Sequence, residues 1–250
     1  MRLPGVLESC YAVFEMKQLG LELKEKLGWG GRRAGAGRPR TKGVVPHARR
    51  PFHEKSHPTH VTVRVVKKLG TLRRGRVIAA VMKRLRRVAH APAFAARRQS
   101  FRVVHFSVMH DHVHLVVEAS SARALSRGMQ GLLAWLARDV NRKLGRRGKL
   151  FAERFHSRDL STPREIRNAL AYVYTNKAKH HDYPKWMPHR IGMVEEGIDP
   201  CSSAGWADVW REPPPAEEMP APVCQAKTWL LARGWRRHGL IGRDEEPASA

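Results

Sequence analysis

The chain has 250 residues, and its 47 Lys and Arg against 22 Asp and Glu give a formal net charge of +25. Such a charge opposes compaction unless a polyanion neutralises it, so the composition favours a nucleic-acid partner; a highly soluble basic surface and an anionic-membrane binder are the alternatives. The sequence has no CxxC pair, no apolar run near the roughly 18 residues of a membrane span and no uninterrupted apolar N-terminus, so we expect a soluble cytoplasmic protein without a membrane partner.

The first segment, residues 1–57, contains a stretch that cannot bury a core. Residues 29–51 (WGGRRAGAGRPRTKGVVPHARRP) are dense in Gly, Pro and Arg. Segments of this composition stay extended and solvated. We interpret the stretch as a flexible basic arm that follows phosphates, with a plain linker as the alternative.

Alternation and helical spacing then predict six elements in the order strand, helix, strand, strand, helix, strand. They span residues 59–66, about 71–90, 101–108, 112–119, about 121–144 and 150–158. This order is typical of the ferredoxin-like split βαββαβ arrangement, with both helices on one face of an antiparallel sheet and the other face free. We therefore expect an α+β fold with an added catalytic helix and basic, partly irregular tails.

The third predicted strand carries the motif His112-Val113-His114. Because side chains alternate along a strand, the two imidazoles project from one face about 7 Å apart. Two such groups suit two ligands of a divalent metal or two donors to a phosphate. The motif alone is weakly specific in a chain with 14 histidines.

The free face of the predicted sheet would carry histidines and arginines, a natural surface for single-stranded nucleic acid. The fourth strand contributes Arg154, His156 and Arg158 to it, and the following helix contributes Lys179. We consider these four residues candidate DNA-binding residues that contact phosphates. The alternative for each is a solvated cation.

One more helix is predicted over residues 162–180, because Thr162, Pro163 and Glu165 have the spacing of a capping box. On this helix Tyr172 and Asn176 lie one turn apart. With the histidine pair they suggest a specific chemistry: the imidazoles and the Asn176 carbonyl hold Mg²⁺ or Mn²⁺, and the Tyr172 hydroxyl attacks a polarised phosphodiester. Alternatively, Tyr172 is an interfacial aromatic with a hydrated hydroxyl.

Together these segments resemble the HUH single-tyrosine transposases, in particular the REP-associated tyrosine transposase branch. The matching segments are HVTVRV (60–65), FRVVHFSVMHDHVHLVVEA (101–119), ALSRGMQGL (124–132), FAERFHSR (151–158) and TPREIRNALAYVYTNKAKH (162–180). The resemblance implies a catalytic domain that binds single-stranded DNA, often beside a hairpin.

The same resemblance implies roles for individual residues. A divalent metal is held by His112, His114 and Asn176, and Tyr172 forms a 5′-phosphotyrosine link that frees a 3′-hydroxyl. Relatives commonly have Pro-Asn before the first histidine and continue Asn-Pro after the tyrosine, where this chain has His110-Asp111 and Asn176-Lys177. The first departure either adds a ligand or shapes the turn, and neither removes a catalytic group.

We therefore predict three parts: an N-terminal segment with a basic arm (1–57), a catalytic domain (58–181) and a Pro-rich tail with a short terminal helix near 225–238 (182–250). The leading hypothesis is a metal-dependent single-stranded DNA endonuclease and strand transferase at hairpin or palindromic DNA, active as a monomer or a homodimer. The alternatives are a non-catalytic DNA- or RNA-binding protein on the same fold and a zinc-stabilised structural protein.

Overall fold

The computed structural model describes residues 52–175, 198–215 and 217–245. The strands are β1 (Thr59–Arg64), β2 (Phe101–Val108), β3 (His112–Ala119) and β4 (His156–Asp159). The helices are α1 (Gly75–His90), α2 (Ala95–Ser100), α3 (Ala122–Lys143), α4 (Pro163–Thr175) and the short α5 (Trp229–Ala232). No helix in these ranges is long and apolar enough to cross a membrane.

The four strands form one antiparallel sheet in the order β2-β3-β1-β4. The strands β1 and β3 are central because the two β-α-β halves interleave, which is the ferredoxin-like topology. Helices α1 and α3 cover one face of the sheet, where Val61, Val63 and Leu115 are almost fully buried in the main core. The predicted fold class is therefore confirmed.

Several predicted boundaries were wrong. The helix predicted from residue 71 begins at Gly75, because Leu72 is held by a backbone hydrogen bond to His110 in the β2–β3 turn. The strand predicted over 150–158 pairs continuously with β1 only over His156–Asp159, because the chain bends after Phe151. Helix α2 was not predicted, and the terminal helix is one turn, α5, followed by a 3₁₀ turn over Gly234–His238.

The second face of the sheet is not free, which corrects the sequence-based expectation. It carries two buried valines, Val104 and Val116, and apolar surface of this kind must be covered. Helix α4 and the chain from Ile198 to Ile241 cover it and form a second core. Among the described residues, the part of this face near β4 and the start of β3 opens into a cavity.

Two buried carboxylates tie the segment from Ile198 to Ile241, here called the C-terminal segment, to the rest of the fold. Asp199 accepts two hydrogen bonds from the buried guanidinium of Arg73, at 2.8 and 3.0 Å. Glu118, on β3, accepts from Arg102 Nε and from the backbone N–H groups of Lys227 and Thr228. Paired and hydrogen-bonded charges of this kind are tolerated in a core only while every partner is present.

Two glycines of α3 give opposite predictions. A Cβ on Gly128 would lie 2.2 Å from the Phe101 ring, whereas a Cβ on Gly131 meets nothing within 4 Å. We expect Gly128→Ala to destabilise the protein by about 1–3 kcal/mol through overpacking. Gly131→Ala should stabilise it by about 0.5–1 kcal/mol, because alanine loses less backbone entropy in a helix. Urea unfolding of the two variants measures both changes, and equal effects would contradict the packing described for Phe101.

Candidate active site

A cavity of about 450 Å³ opens on the second face of the sheet, between β1, β3, β4 and α4. The strands contribute polar side chains from one face, and the helix closes the opposite side. The lining residues are His60, Thr62, Arg64, His112, His114, Arg158, Leu160, Glu165, Asn168, Ala169 and Tyr172.

The two histidines of the HVH motif converge in this cavity. Their Nε2 atoms lie 2.9 Å apart, although the residues are separated by only one position on β3. The β1–β3 register pairs His114 with Thr62 and His112 with Arg64, so both imidazoles project from the centre of the sheet. His114 is buried and His112 is half-buried.

The outer nitrogen of each imidazole has its own partner. His112 Nδ1 lies 2.6 Å from Asp111 Oδ1, and a carboxylate accepts only, so the ring donates there and its Nε2 lone pair faces the cavity. This hydrogen bond, together with the charge of Arg64, lowers the pKa of Asp111. His114 Nδ1 lies 3.1 Å from the Thr62 hydroxyl and 3.2 Å from His60 Nε2.

A third imidazole, His60, belongs to the same cluster. Its ring stacks on that of His114 with centroids 5.2 Å apart. Burial lowers the pKa of His114 to about 2 and that of His60 to about 4, assisted by the neighbouring imidazoles and by Arg158. Both rings are therefore neutral near pH 7, and only a neutral imidazole has a lone pair for a metal.

These observations fit a divalent metal at His112 and His114. The two Nε2 atoms converge, and hydrogen bonds to the outer nitrogens fix the orientation of both rings. A carboxylate in the position of Asp111 is a usual hydrogen-bond partner of a metal-bound imidazole. Within the described ranges, no group of three or more His, Cys, Asp or Glu side chains is arranged to hold a metal. The predicted third ligand, Asn176, lies outside the described residues.

Tyr172 reaches the cavity from α4. Its ring contacts the edges of His114 and His60, with centroids 5.1 and 6.0 Å apart. The residue is half-buried, and Glu165 and Asn168 line the cavity from the same side of the helix. A phenol beside this histidine cluster can approach a phosphodiester bound there.

A capping box at the start of α4 and a buried tyrosine on the side opposite Tyr172 fix the position of this helix. Thr162 Oγ1 accepts from the Glu165 N–H at 3.2 Å and the Glu165 carboxylate accepts from the Thr162 N–H at 3.1 Å, so the predicted capping box is confirmed. Tyr174 points the opposite way and is fully buried. Its hydroxyl lies 2.6 Å from His105 Nδ1 and 3.0 Å from Ser203 Oγ, and burial raises its pKa.

Of the four residues predicted to contact phosphates, the structure places Arg158 in the cavity lining. Arg158 forms an ion pair with Glu165 at 3.0 Å. His156 is exposed and pairs with Thr62 in the β1–β4 register, outside the cavity lining, and Arg154 precedes β4 and is half-buried. Lys179 lies outside the described residues.

Glu165 keeps its negative charge at the cavity rim. Burial raises its pKa, but hydrogen bonds from Ser161, Arg158 and the Thr162 N–H outweigh this and lower it to about 2. The rim therefore holds a fixed carboxylate that orients Arg158.

Sequence reasoning did not assign a role to His60 or Arg64, and for Asp111 it left open whether the residue adds a ligand or shapes the turn. The alternation of β1 placed His60 and Arg64 on one face, and pairing β1 with β3 in the observed register would have brought them to the histidine motif. For Asp111 the signal was its position directly before the first histidine.

Comparisons with known proteins bear on the identity of this domain. Residues 62–176 match the model of the family described as transposase IS200 like. The chain is also similar to a solved structure of a REP-associated tyrosine transposase bound to a REP hairpin, with 17% identity, a TM-score of 0.41, and coverage of 70% of this chain and 99% of that one. A comparison with curated proteins gave no match. The family match agrees with the prediction from the sequence motifs, and it assigns residues 62–176 to the IS200-like transposases.

Proposed function

We propose that this protein is a metal-dependent single-stranded DNA endonuclease and strand transferase of the REP-associated branch, acting at hairpin or palindromic DNA. The observation that carries the proposal is the contact of the Tyr172 ring with His114, whose Nε2 atom converges on that of His112 in one open cavity. Membership of a transposase family supports DNA as the substrate.

The proposed reaction is the one that the resemblance to single-tyrosine transposases implies for a tyrosine in this position. Tyr172 Oη forms a bond to the phosphorus, the bond from phosphorus to the 3′ oxygen breaks, and the product is a 5′-phosphotyrosine link with a free 3′-hydroxyl. The phenol loses its proton and the departing oxygen takes one up. Attack by a 3′-hydroxyl on the same link reverses the step, so the bond energy is conserved and no nucleotide cofactor is needed.

The remaining groups bind and orient the strand. His112, His114 and Asn176 are the residues that would hold Mg²⁺ or Mn²⁺, which when bound would polarise the phosphodiester. Arg64 and Arg158 line the cavity and offer guanidinium groups to phosphate oxygens. The Glu165 carboxylate holds Arg158 at the rim and disfavours a phosphate in its own position.

The test is a denaturing gel of labelled single-stranded hairpin DNA incubated with the full chain and Mn²⁺. We expect a covalent protein–DNA adduct that chelation of the metal abolishes. DNA binding without an adduct or a nick across a panel of hairpins, with or without metal, would favour the non-catalytic binding protein instead.

A second prediction concerns the carboxylate beside His112. We expect Asp111→Ala to raise the Mn²⁺ concentration for half-maximal adduct formation about 10–100-fold, because the His112 ring loses the acceptor that orients it. Asp111→Asn is the matched control, since its amide oxygen still accepts, and should lie much closer to the wild type. An unchanged metal requirement in Asp111→Ala would argue against His112 as a ligand.

A further inference from the structure

A second groove, of about 660 Å³, lies on the helical side of the sheet between α2 and α3. It shares no lining residue with the active-site cavity. Its lining residues are Val88, Phe94, Arg97, Arg98, Ser100, Phe101, Ser121, Arg123, Ala124, Arg127, Gly128, Gln130, Gly131, Leu132, Ala134 and Trp135.

Every charged side chain in this lining is an arginine. Arg97 and Arg98 come from α2, and Arg123 and Arg127 come from α3, where their spacing of four places them on one face. Arg97, Arg123 and Arg127 are exposed, and no carboxylate is among the described residues that line the groove. A guanidinium does not lose its proton in proteins, so the groove is positive at every working pH.

The floor and one wall of the groove suit a nucleobase. Gly131 and Ala134 leave the α3 surface low, and the half-buried Trp135 ring stands beside them. The guanidinium of Arg97 already lies over that ring, 5.2 Å from its centroid. Unpaired bases stack on tryptophan rings and on guanidinium planes, while a duplex keeps its bases inside.

We infer that this groove binds a single-stranded stretch of the DNA substrate, apart from the strand that reacts at Tyr172. The exposed guanidinium groups of Arg123 and Arg127 contact its phosphates, and the Arg97 guanidinium, which lies on the Trp135 ring, provides the stacking surface. The inference rests on the proposed function for the identity of the ligand. The positive charge alone would also suit an anionic lipid surface, but the concave shape and the aromatic wall favour a strand.

The experiment uses the full chain with Tyr172→Phe, so that binding is measured without cleavage, and a fluorescent 20-nucleotide oligothymidylate. Gly131→Glu and Gly131→Gln are nearly isosteric, and a Cβ at this position meets nothing within 4 Å. We expect the glutamate variant to bind about tenfold more weakly than the glutamine variant, because its carboxylate repels phosphates in the groove.

A second pair of variants tests the arginines by salt dependence. Arg123→Gln/Arg127→Gln should reduce the log–log slope of affinity against salt by about 1.4, or about 0.7 for each lost phosphate contact on a single strand. Arg76→Gln/Arg87→Gln removes the same charge from exposed positions of α1 that line neither cavity, and should leave the slope near its starting value.

Equal affinities of the two Gly131 variants, or equal slopes in the two arginine pairs, would overturn the groove as a DNA site. So would binding to phosphatidylserine vesicles that depends on Arg123 and Arg127 while oligonucleotide binding does not. These results are independent of the adduct assay. If the wild-type protein forms no adduct but both pairs of variants behave as expected, the proposed reaction is contradicted and the groove is still supported as a DNA site.

Discussion

Tyr172→Phe is expected to form no covalent adduct with hairpin DNA, whereas its affinity for that DNA should stay within about twofold of the wild type. The substitution removes one oxygen and leaves the ring that contacts His114 and His60. Without the hydroxyl no bond to phosphorus can form, so both the adduct and the nick should vanish rather than slow. A denaturing gel and an anisotropy titration of the same protein measure the two quantities.

Tyr174→Phe is the matched control for this experiment. It removes the same atom two positions along α4, where the hydroxyl is buried against His105 and Ser203. We expect this variant to be less stable by about 1–3 kcal/mol, since buried partners lose a hydrogen bond, and still to form the adduct. An adduct with Tyr172→Phe, or its loss only with Tyr174→Phe, would assign the nucleophile elsewhere.

Glu118→Ala is expected to destabilise the protein by about 3–5 kcal/mol, the largest stability change we predict. The carboxylate is 1% exposed and accepts from Arg102 and from two backbone N–H groups at the start of α5. Its loss leaves a half-buried guanidinium without its counter-charge and removes the hydrogen bonds that join Lys227 and Thr228 to β3. Urea unfolding measures the difference.

Glu165→Ala provides the comparison for the Glu118 prediction. That carboxylate also accepts several hydrogen bonds, but it is at the exposed start of α4. Loss of a helix cap of this kind costs about 1 kcal/mol. Similar destabilisation in the two variants would mean that burial of Glu118 adds little to the stability of the fold.

The sheet and its helices were predictable because they depend on local patterns. Alternating valines specify β1, and the capping box at Thr162 and Glu165 specifies the start of α4. The order of the six predicted elements then gives the topology. The spacing of Tyr172 on its helix also indicated which face it shares with Glu165 and Asn168.

The parts that were missed depend on contacts between distant positions. The segment from Ile198 to Ile241 is rich in proline and has no period, so no pattern in it specifies the face of the sheet that it covers. The pairing of Arg73 with Asp199 joins residues 126 positions apart. His60 reaches His114 only through the strand register, which the alternation of one strand does not determine.

The burial of Tyr174 has a mechanical consequence for the opposite side of α4. The Tyr172 hydroxyl is roughly 9 Å from the helix axis, so a rotation of the helix by about 10° would move it by roughly 1.5 Å. Errors of about 1 Å at reacting atoms can cost on the order of 100-fold in rate. The Tyr174 ring packs on Trp210, 5.5 Å between centroids, and limits this rotation. The C-terminal segment thus sets the angular precision of the proposed nucleophile, although none of its described residues lines the candidate active-site cavity.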